Sequence, residues 1–347
     1  MSAAADRRRE GILTALQSLG TIRVTDLAQH LNMPAVTLRR DVAALAEAGL
    51  VSRSHGSVSL PTREAGGPAL GLLVPTVGQY FGEVIAGARA AAGAAGAHLT
   101  LGISSYQAEA DRAQVEQLLA TGVAGLLLVP NWMPSRSADD LLWVGELPVP
   151  AVLVERQAPH GTPLAELDCV GSNHHHGVFI ALRHLAALGH ARIVLAARKD
   201  TWTALKVRGA YAESCALLGL PAEPVIDIDD PAVHSEDVAR QIVEAVESGV
   251  RGVLVHNDQD ALQLSPLLRD KGLRIPEDIA LISYDDVVAA LGAPPLTAVS
   301  PPRHAVGAAA VELILRRLKS DSALPVHHLG LLPELKVRAS CGGAPST

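Results

Sequence analysis

The sequence predicts an α/β protein with a small, mainly helical head followed by a larger body that contains parallel β-sheets. Apolar residues in the first 60 positions recur at helical spacing. A stretch rich in Pro and Gly, residues 61–68, then reads as a linker. From residue 69 onward, short apolar strands alternate with longer helical stretches. With 347 residues, 48% of them hydrophobic, the chain is long enough for two or three domains.

The head is predicted to form three helices and a hairpin. Gly20 ends the first helix, Thr25 is expected to cap the second, and Gly49 closes the third. The hairpin strands are "GLVSR" and "SVSL", joined by "SHG". This order of elements predicts a winged helix-turn-helix, in which the third helix enters the major groove of DNA. The predicted inward-facing residues are Ile12, Leu13, Leu16, Leu19, Leu27, Ala28, Leu31, Val36, Val42, Leu45 and Ala46.

The stretch "AVTLRRDVAAL" places two adjacent arginines, Arg39 and Arg40, one turn into the third helix. An arginine in that position can pair with guanine or clamp a phosphate. A solvated charged face is the alternative, and Arg40 could instead pair with Asp41 or Glu47. The residues predicted to contact double-stranded DNA are Thr25, Ala35, Thr37, Arg39, Arg40, Arg53 and His55.

The distribution of charge also favours a DNA-reading head. Residues 1–63 contain eight arginines and five acidic residues, a net charge of +3. The remaining residues contain 21 basic and 31 acidic side chains, a net charge of −10. A basic head on an acidic body is typical of a nucleic-acid-binding domain joined to a domain with another task.

The sequence predicts a cytoplasmic protein that uses neither a metal nor a cofactor. No apolar run reaches the length of a membrane span, and no signal segment is recognised, so neither a membrane nor export is expected. Cys169, Cys215 and Cys341 are isolated, which suits a reducing compartment. Successive side chains of "NHHHG", residues 173–177, diverge by about 100° on a helix, which disfavours a metal site.

The pattern of the body predicts two subdomains, each with a parallel sheet covered by helices on both faces. The predicted strands are near-continuous apolar runs, which is typical of parallel sheets, and there are too many of them for a single sheet. The predicted strands span residues 69–74, 98–103, 125–129, 150–154, 192–197, 252–256 and 279–284. The predicted helices span residues 82–95, 109–121, 174–188, 204–218, 235–248 and 259–272.

Open α/β sheets bind ligands beyond the carboxyl ends of their strands, and most aromatic residues of this chain follow such ends. These aromatic residues suggest a stacking surface for a sugar or nucleobase, although they could simply fill gaps. They are Tyr80, Phe81, Tyr106, Trp132, Trp202 and Tyr284, whereas Trp143, Phe179 and Tyr211 fall in helices and are expected in the core.

Polar residues follow several of the same strands. They are Glu155, Asn257, Asp258, Asp285 and Asp286. Paired acids could perform acid–base catalysis, bind magnesium or accept hydrogen bonds from hydroxyl groups. No phosphate-binding glycine loop, nucleophile elbow or metal-spaced cluster accompanies them. The sequence therefore predicts a binding protein and not an enzyme.

The head resembles the DNA-binding domain of DeoR-type bacterial repressors. The shared pieces are "REGIL" in the first helix, "TLRRDVAAL" in the third and "RSHG" in the wing, in matching order and spacing. Ser57 stands where that family usually has a second glycine.

Residues 69–340 resemble the periplasmic-binding-protein-like sensor domain of LacI/GalR-type repressors. The most specific pieces are "LGHARI" and "IPEDIALISYDD". The resemblance implies two lobes that hold a ligand between them. It places Tyr80 and Phe81 on the wall of the first lobe and Glu155 at the crossover, with Asn257 and Asp285 gripping hydroxyl groups from the second lobe. Val207 stands where members of the family often have a ligand-clamping arginine. Either Lys206 or Arg208 substitutes for it by a different path, or the clamp is absent and Trp202 compensates.

Together, these resemblances imply a ligand-responsive DNA-binding regulator, a repressor of carbohydrate-related genes that senses a small sugar-like molecule. The alternatives are a solute-binding protein of a sugar transporter and a nucleoside-sensing regulator. A homodimer is expected through the Ala/Gly-rich helix "VIAGARAAAGAAGA". The expected boundaries are 1–60 for the head, 61–68 for the linker, 69–155 with 300–320 for the first lobe, and 165–297 with 326–340 for the second. Residues predicted to bind the ligand are Tyr80, Phe81, Tyr106, Trp132, Glu155, Trp202, Arg208, Asn257 and Asp285.

Overall fold

The structure is a computed structural model, and it describes residues 3–47, 51–54, 56–59, 67–132, 142–157, 161–229, 231–320 and 324–343. Most of the predicted linker and His55 lie outside these residues, as does the predicted helix end at Gly49. The chain divides into two compact units. The first unit contains Met1–Gly171 and Arg303–Leu329, and the second contains Ser172–Pro302 and Gly330–Thr347.

The head of the first unit contains three helices and a three-stranded sheet of order β1-β3-β2. Short β1 pairs antiparallel with β3, which pairs antiparallel with β2 to form the wing. This arrangement confirms the winged helix-turn-helix prediction and adds β1, which is too short to be visible as a pattern in the sequence. The elements are α1 (Ala3–Leu19), β1 (Ile22–Arg23), α2 (Val24–His30), α3 (Ala35–Glu47), β2 (Ser52–Ser54) and β3 (Ser57–Ser59).

Two details predicted for the head are wrong. Helix α2 begins at Val24, with Arg23 as its N-cap, so Thr25 lies inside the helix and donates a hydrogen bond to Asp26 instead of capping. Val36 was expected to face inward, but it is 77% exposed, whereas Leu38 is fully buried. Val42 and Leu45 are buried as predicted, so the helical phase of α3 is the expected one and Val36 lies on its opposite side.

The body of the first unit begins with strands and helices in strict alternation. Strands β5, β4, β6, β7 and β8 pair in parallel in that order, with β5 at one edge of the sheet. The elements are β4 (Ala69–Val74), α4 (Gln79–Ala94), β5 (His98–Ile103), α5 (Ala108–Ala120), β6 (Gly125–Leu128), α6 (Leu142–Gly145), β7 (Ala151–Val154) and β8 (Asp168–Ser172).

The second unit repeats this plan with a six-stranded sheet of order β10-β9-β11-β12-β13-β15. All neighbours in it are parallel except β13 and β15. Its elements up to the return into the first unit are α7 (His174–Ala187), β9 (Ile193–Arg198), α8 (Trp202–Leu218), β10 (Ile226–Ile228), α9 (Pro231–Glu247), β11 (Gly252–His256), α10 (Asp258–Asp270), β12 (Ala280–Tyr284) and β13 (Thr297–Ser300). The last elements are α11 (Arg303–Lys319) in the first unit, β14 (His328–Leu331) at the edge of its sheet, and β15 (Glu334–Lys336).

The strands of the second unit are buried on both faces. Val253 and Val255 of β11 pack in one apolar cluster with residues of α9 and α10. Leu254 lies in a second cluster with residues of α7 and α8. Because neighbouring residues of one strand enter opposite cores, the strand reads as a continuous apolar run, as predicted.

All seven predicted body strands and all six predicted body helices are present, with ends that move by four residues at most. The sequence patterns missed β8, β10, β13, β14 and β15, as well as α6 and α11. Two of the three aromatic residues expected in the core, Trp143 and Phe179, are only half-buried, whereas Tyr211 is 2% exposed. Among the described residues, no helix is long and apolar enough to cross a bilayer.

Helices α4 and α11 of the first unit approach each other closely enough that their backbones are in contact. A Cβ atom at Gly87 would overlap the carbonyl oxygen of His304, and one at Gly307 would overlap that of Val84. Neither carbonyl can move without displacing its whole helix. At least one small residue of α4, Gly87, therefore allows a contact with α11 within the chain.

We predict that Gly307→Ala lowers the free energy of unfolding by about 1–3 kcal/mol, because the added methyl group must push α4 and α11 apart. Gly209→Ala is the matched control. Gly209 is exposed within α8 with nothing within 4 Å of an added Cβ, so stability should be unchanged or should rise by up to about 1 kcal/mol. Urea unfolding measures both variants, and equal stability of the two would contradict the close helix contact.

Candidate functional site

The predicted DNA-reading residues lie on α2, α3 and the wing. Arg39 and Arg40 are exposed on α3, and Arg53 is exposed on β2. Thr25 is exposed on α2, while Ala35 and Thr37 are half-buried at the start of α3. Leu38 and Val42 are buried on the opposite side of α3 and attach it to the head. Helix α3 thus packs on the head through an apolar face and exposes two arginines to the solvent on the other face.

An ion pair that the sequence analysis missed fixes α3 against α1. Nε of Arg8 donates to Oδ2 of Asp41 at 2.9 Å, and Nε of Arg9 lies 3.8 Å from Oδ1. Asp41 is only 4% exposed, so its carboxylate is buried against these two arginines. The acid in "RRD" therefore holds the recognition helix by contacts to α1, and the suggested pairing of Arg40 with Asp41 is not what the structure presents.

At the carboxyl edge of the first unit's sheet, the structure joins Tyr80 to Glu155. The Tyr80 hydroxyl donates to Oε1 of Glu155 at 3.0 Å, although 75 positions separate them. Phe81 packs edge-on against Tyr80 with ring centroids 5.3 Å apart. The guanidinium of Arg303, at the start of α11, lies 5.6 Å from the Tyr80 ring centroid. Glu155 has a positive φ of 52° and is 5% exposed, so the turn after β7 holds this carboxylate at the edge.

A buried polar network beside this pair was missed. The Asn131 side chain donates to Oγ of Ser104 at 2.7 Å and to Oδ1 of Asp111 at 2.9 Å. The backbone nitrogen of Asn131 donates to the other carboxylate oxygen of Asp111 at 2.7 Å. Burial raises the pKa of Asp111. Asn131 follows strand β6, so the rule used for Glu155 would also have found it.

The network sits beside two predicted aromatic residues. Trp132, next to Asn131, is 4% exposed, whereas Tyr106 is 65% exposed and has a positive φ of 60°. Arg156, which follows Glu155, donates to the carbonyl oxygens of Pro130 and Glu155, each at 2.8 Å, and burial lowers the pKa of Arg156. The first unit's edge therefore combines aromatic rings, a carboxylate and a half-buried arginine.

In the second unit, the two basic residues beside Val207 lie in different surroundings. Lys206 Nζ lies 4.8 Å from the ring centroid of Trp202, at the beginning of α8. Arg208 donates to the carbonyl oxygen of Ala197 at 2.9 Å and forms an ion pair with Asp227 on β10. Val207 is fully buried. The guanidinium of Arg208 thus bridges the neighbouring strands β9 and β10.

The polar residues after β11 shape the neighbouring turns. Asn257 caps α10, its side-chain oxygen accepting from the backbone nitrogen of Asp260 at 3.1 Å. Oδ2 of Asp258 accepts from the backbone nitrogens of Val287, Val288 and Ala289. Asp258 thereby ties α10 to the turn that follows β12.

That turn carries the predicted pair of acids. Asp285 and Asp286 both have a positive φ, of 89° and 51°. Asp286 forms an ion pair with Arg338 at 2.8 Å, which anchors the turn from the side of β15. The two acids therefore have different surroundings: Asp286 belongs to an ion pair within the fold, and Asp285 precedes it at the half-exposed start of the turn.

Two buried titratable groups of the second unit were not singled out as functional. His256, 2% exposed, has no hydrogen-bond partner at either ring nitrogen among the described residues, and burial lowers its pKa to about 3. Oδ2 of Asp260, 4% exposed, also has no such partner, and burial raises the pKa of Asp260 to about 6. His174 Nδ1 lies 3.1 Å from the hydroxyl of Tyr284, the predicted edge aromatic, which is fully buried.

The described residues contain no group of three or more His, Cys, Asp or Glu arranged to hold a metal ion. His175, from the run of three histidines, faces Glu213 at 3.2 Å.

Two family models match the chain. A DeoR-like helix-turn-helix domain matches residues 8–64. A periplasmic binding protein-like domain matches residues 182–341. The first match spans the head, and the second runs from within α7 to the end of the described second unit.

Relatives align with most of the chain. The HTH-type transcriptional repressor PurR of Vibrio atlanticus (strain LGP32) is 29% identical over 258 residues, 72% of this chain and 74% of the relative. The arabinose metabolism transcriptional repressor of Geobacillus stearothermophilus is 22% identical over 329 residues, 91% of this chain and 89% of the relative. A crystal structure of a LacI family transcriptional regulator from Mycobacterium smegmatis, 27% identical, covers 80% of this chain and 100% of its own with a TM-score of 0.64.

We predict that Asp260→Asn stabilises the protein at pH 7.5 by about 1–2 kcal/mol and has little effect at pH 4. With a pKa of about 6 when folded and about 3.9 when unfolded, Asp260 binds more protons in the folded state between these values. The carboxyl group therefore lowers stability as the pH rises from about 4 to about 6.

The control is Asp270→Asn, since Asp270 is exposed at the end of the same helix and its replacement should change stability by less than about 0.5 kcal/mol. Urea unfolding at both pH values measures the effect. A gain for Asp260→Asn that is the same at pH 4 and pH 7.5 would contradict a raised pKa of Asp260.

Proposed function

The chain belongs to the transcription regulators that join a DeoR-like helix-turn-helix domain to a LacI-type periplasmic-binding-protein-like domain, and we propose that it represses carbohydrate-related genes under the control of a small sugar-like effector. The observation that carries this proposal is the presence of both halves in one chain. A helix with exposed Arg39 and Arg40 can read DNA. The edges of the two sheets carry the side chains that a polyhydroxylated ligand requires.

The edge chemistry favours a neutral ligand with several hydroxyl groups. In the first unit, Glu155 offers carboxylate oxygens beside the rings of Tyr80 and Phe81. In the second, Trp202 and Asp285 provide a ring and an acid at the ends of strands. Carboxylates accept hydrogen bonds from hydroxyl groups, and aromatic faces cover the apolar side of a sugar ring. The name of the Geobacillus relative, an arabinose metabolism repressor, supports the same class.

A nucleoside or nucleobase is the second candidate for the effector, because of Trp202. Its flat ring could stack on a base, and the Vibrio relative is named as PurR. Binding assays with sugars and nucleosides decide between the two. A solute-binding protein of a transporter would have no use for the head, whose recognition helix is exposed.

We further propose that the protein acts in the cytoplasm as a homodimer. Helix α4 uses Gly87 to contact α11 within the chain, but Ala90, Gly93 and Ala94 are small and exposed on it. A second copy can approach closely along such a face. Two heads related by a two-fold axis would favour a palindromic or repeated operator.

We predict that Arg39→Ala weakens binding to the operator at least about tenfold, since one good arginine contact contributes about 1–3 kcal/mol, and leaves the affinity for the effector unchanged. Asp285→Ala should do the reverse, retaining operator binding while losing affinity for the effector. Fluorescence anisotropy with labelled upstream DNA at fixed salt measures the first affinity, and calorimetry measures the second.

Arg240→Ala is the matched control, because Arg240 is exposed in the second unit and pairs only with neighbours on α9, Asp237 and Glu244, in the interactions described. It should leave both affinities unchanged. Unaltered operator binding by Arg39→Ala would overturn the assignment of α3 as recognition helix. Unaltered effector binding by Asp285→Ala would remove Asp285 from the site.

A further inference from the structure

Within the first unit, the head is joined to the edge of the body's sheet by backbone contacts. The backbone nitrogen of Leu101 on β5 donates to the carbonyl oxygen of Thr21 at 3.1 Å. Thr21 and Thr100 form a parallel β-bridge. Because β5 is an edge strand, the backbone N–H and C=O groups on its outer side have no neighbouring strand in the sheet. Thr21, which precedes β1, accepts a hydrogen bond from one of these N–H groups.

A second contact lies beside the first and involves a desolvated arginine. Gly20 has a positive φ of 71°, and a Cβ atom there would lie 2.9 Å from both Nε and Nη2 of Arg89 on α4. Burial lowers the pKa of Arg89 to about 10. The guanidinium thus lies directly against the turn between α1 and β1, where the positive φ of Gly20 favours glycine.

A cavity of about 180 Å³ lies in the joint between head and body. Polar and apolar side chains line it: Arg23, Ser57, Thr100, Leu101, Gln114, Gln117, Leu118, Ala120 and Thr121. An incompletely filled joint of mixed polarity is typical of an interface that can adjust, in contrast to the close-packed interior of a domain.

Both elements that receive the head also reach the proposed effector site. Helix α4 carries Tyr80 in its first turn and Arg89 nine residues later, about 13 Å along the axis. Strand β5 contains Thr100 and leads to Ser104, which accepts from Asn131. A shift of α4 or β5 at the proposed effector site would therefore also move the residues that contact the head.

The docked position leaves the DNA-reading face open. Arg39, Arg40 and Arg53 are exposed while Thr21 and Gly20 contact β5 and α4. The head does not need to leave the body in order to present α3 to a major groove.

From these observations we propose that the winged helix binds its operator while docked on β5 and α4, and that the effector controls DNA binding by shifting this docked head through α4. This inference rests on the proposed function, since it concerns how the proposed effector acts. It identifies the surface formed by Gly20, Thr21, Arg89, Thr100 and Leu101 as the coupling joint.

A disulfide across the joint tests the docked state. Bridged strand residues lie about 5 Å apart, within the usual Cα separation of a disulfide, so Thr21→Cys with Thr100→Cys should cross-link under mild oxidation. Cys169, Cys215 and Cys341 are buried and should not compete. Ser52→Cys with Thr100→Cys is the control and should not cross-link, because Ser52 pairs with β3 in the wing.

The cross-linked protein should bind operator DNA as tightly as the same protein after reduction. Failure of the Thr21–Thr100 pair to cross-link would overturn the docked state. Cross-linking that abolishes operator binding, with recovery upon reduction, would show that the head must undock and would also overturn the proposal. If even the reduced protein and the unmodified chain bind no operator, the proposed function itself fails, while the cross-linking yield still reports on docking.

Replacing Arg89 tests the coupling. In the unmodified chain the effector should change operator affinity by about tenfold or more, and in Arg89→Ala by less than about threefold, with effector affinity retained. The control is Arg112→Ala on α5, where the arginine is exposed and pairs with Glu116. Arg112→Ala should respond like the unmodified chain. A full response in Arg89→Ala would rule out coupling through this joint.

Discussion

The close approach of α4 and α11 determines where side chains of the first unit's proposed effector site lie. Gly87 and Gly307 bring the two backbones into contact, and each helix then carries residues to both ends of that contact. Helix α4 places Tyr80 at the sheet edge, while α11 places Arg303 over the Tyr80 ring. At its other end, α11 uses Arg317 to hold the buried carboxylate of Asp168 on β8, with Nη2 and Oδ1 2.9 Å apart. A change in the helix spacing would therefore disturb the site and the strand that leads out of the unit.

The head depends on a different constraint, the burial of Asp41. Its carboxylate is accessible to Arg8 and Arg9 of α1 and nearly inaccessible to water, so the first helix determines the position of the third. Losing the arginines would leave a buried charge unpaired, which costs more than losing a surface ion pair. Arg39 and Arg40 are exposed, and they are proposed to contact DNA, while their neighbour Asp41 stabilises the fold.

Patterns along the sequence predicted the helices and strands whose apolar residues recur at regular spacing. They did not predict contacts between residues that are far apart in the sequence. Buried parallel strands such as 69–74 and 252–256 were predicted with the ends observed, because both faces are apolar. Strands β10 and β15 are three residues long at sheet edges and show no such run. The pairing of Tyr80 with Glu155 and the engagement of Arg208 by Asp227 depend on folding between residues that no local pattern connects. Val36 was misplaced on its apolar character alone, because it lies nine residues from buried Leu45 and therefore on the opposite side of α3.

The central claim is that one chain contains a DNA reader and a small-molecule sensor that influence each other. The most direct measurement is the affinity of the full chain for DNA from upstream of its gene, at fixed salt, with and without a compound that raises its melting temperature in a panel of sugars and nucleosides. We expect the compound to change the Kd for this DNA by about tenfold or more and to leave binding to unrelated DNA unchanged. A compound that binds the protein without changing the specific Kd would contradict the claim.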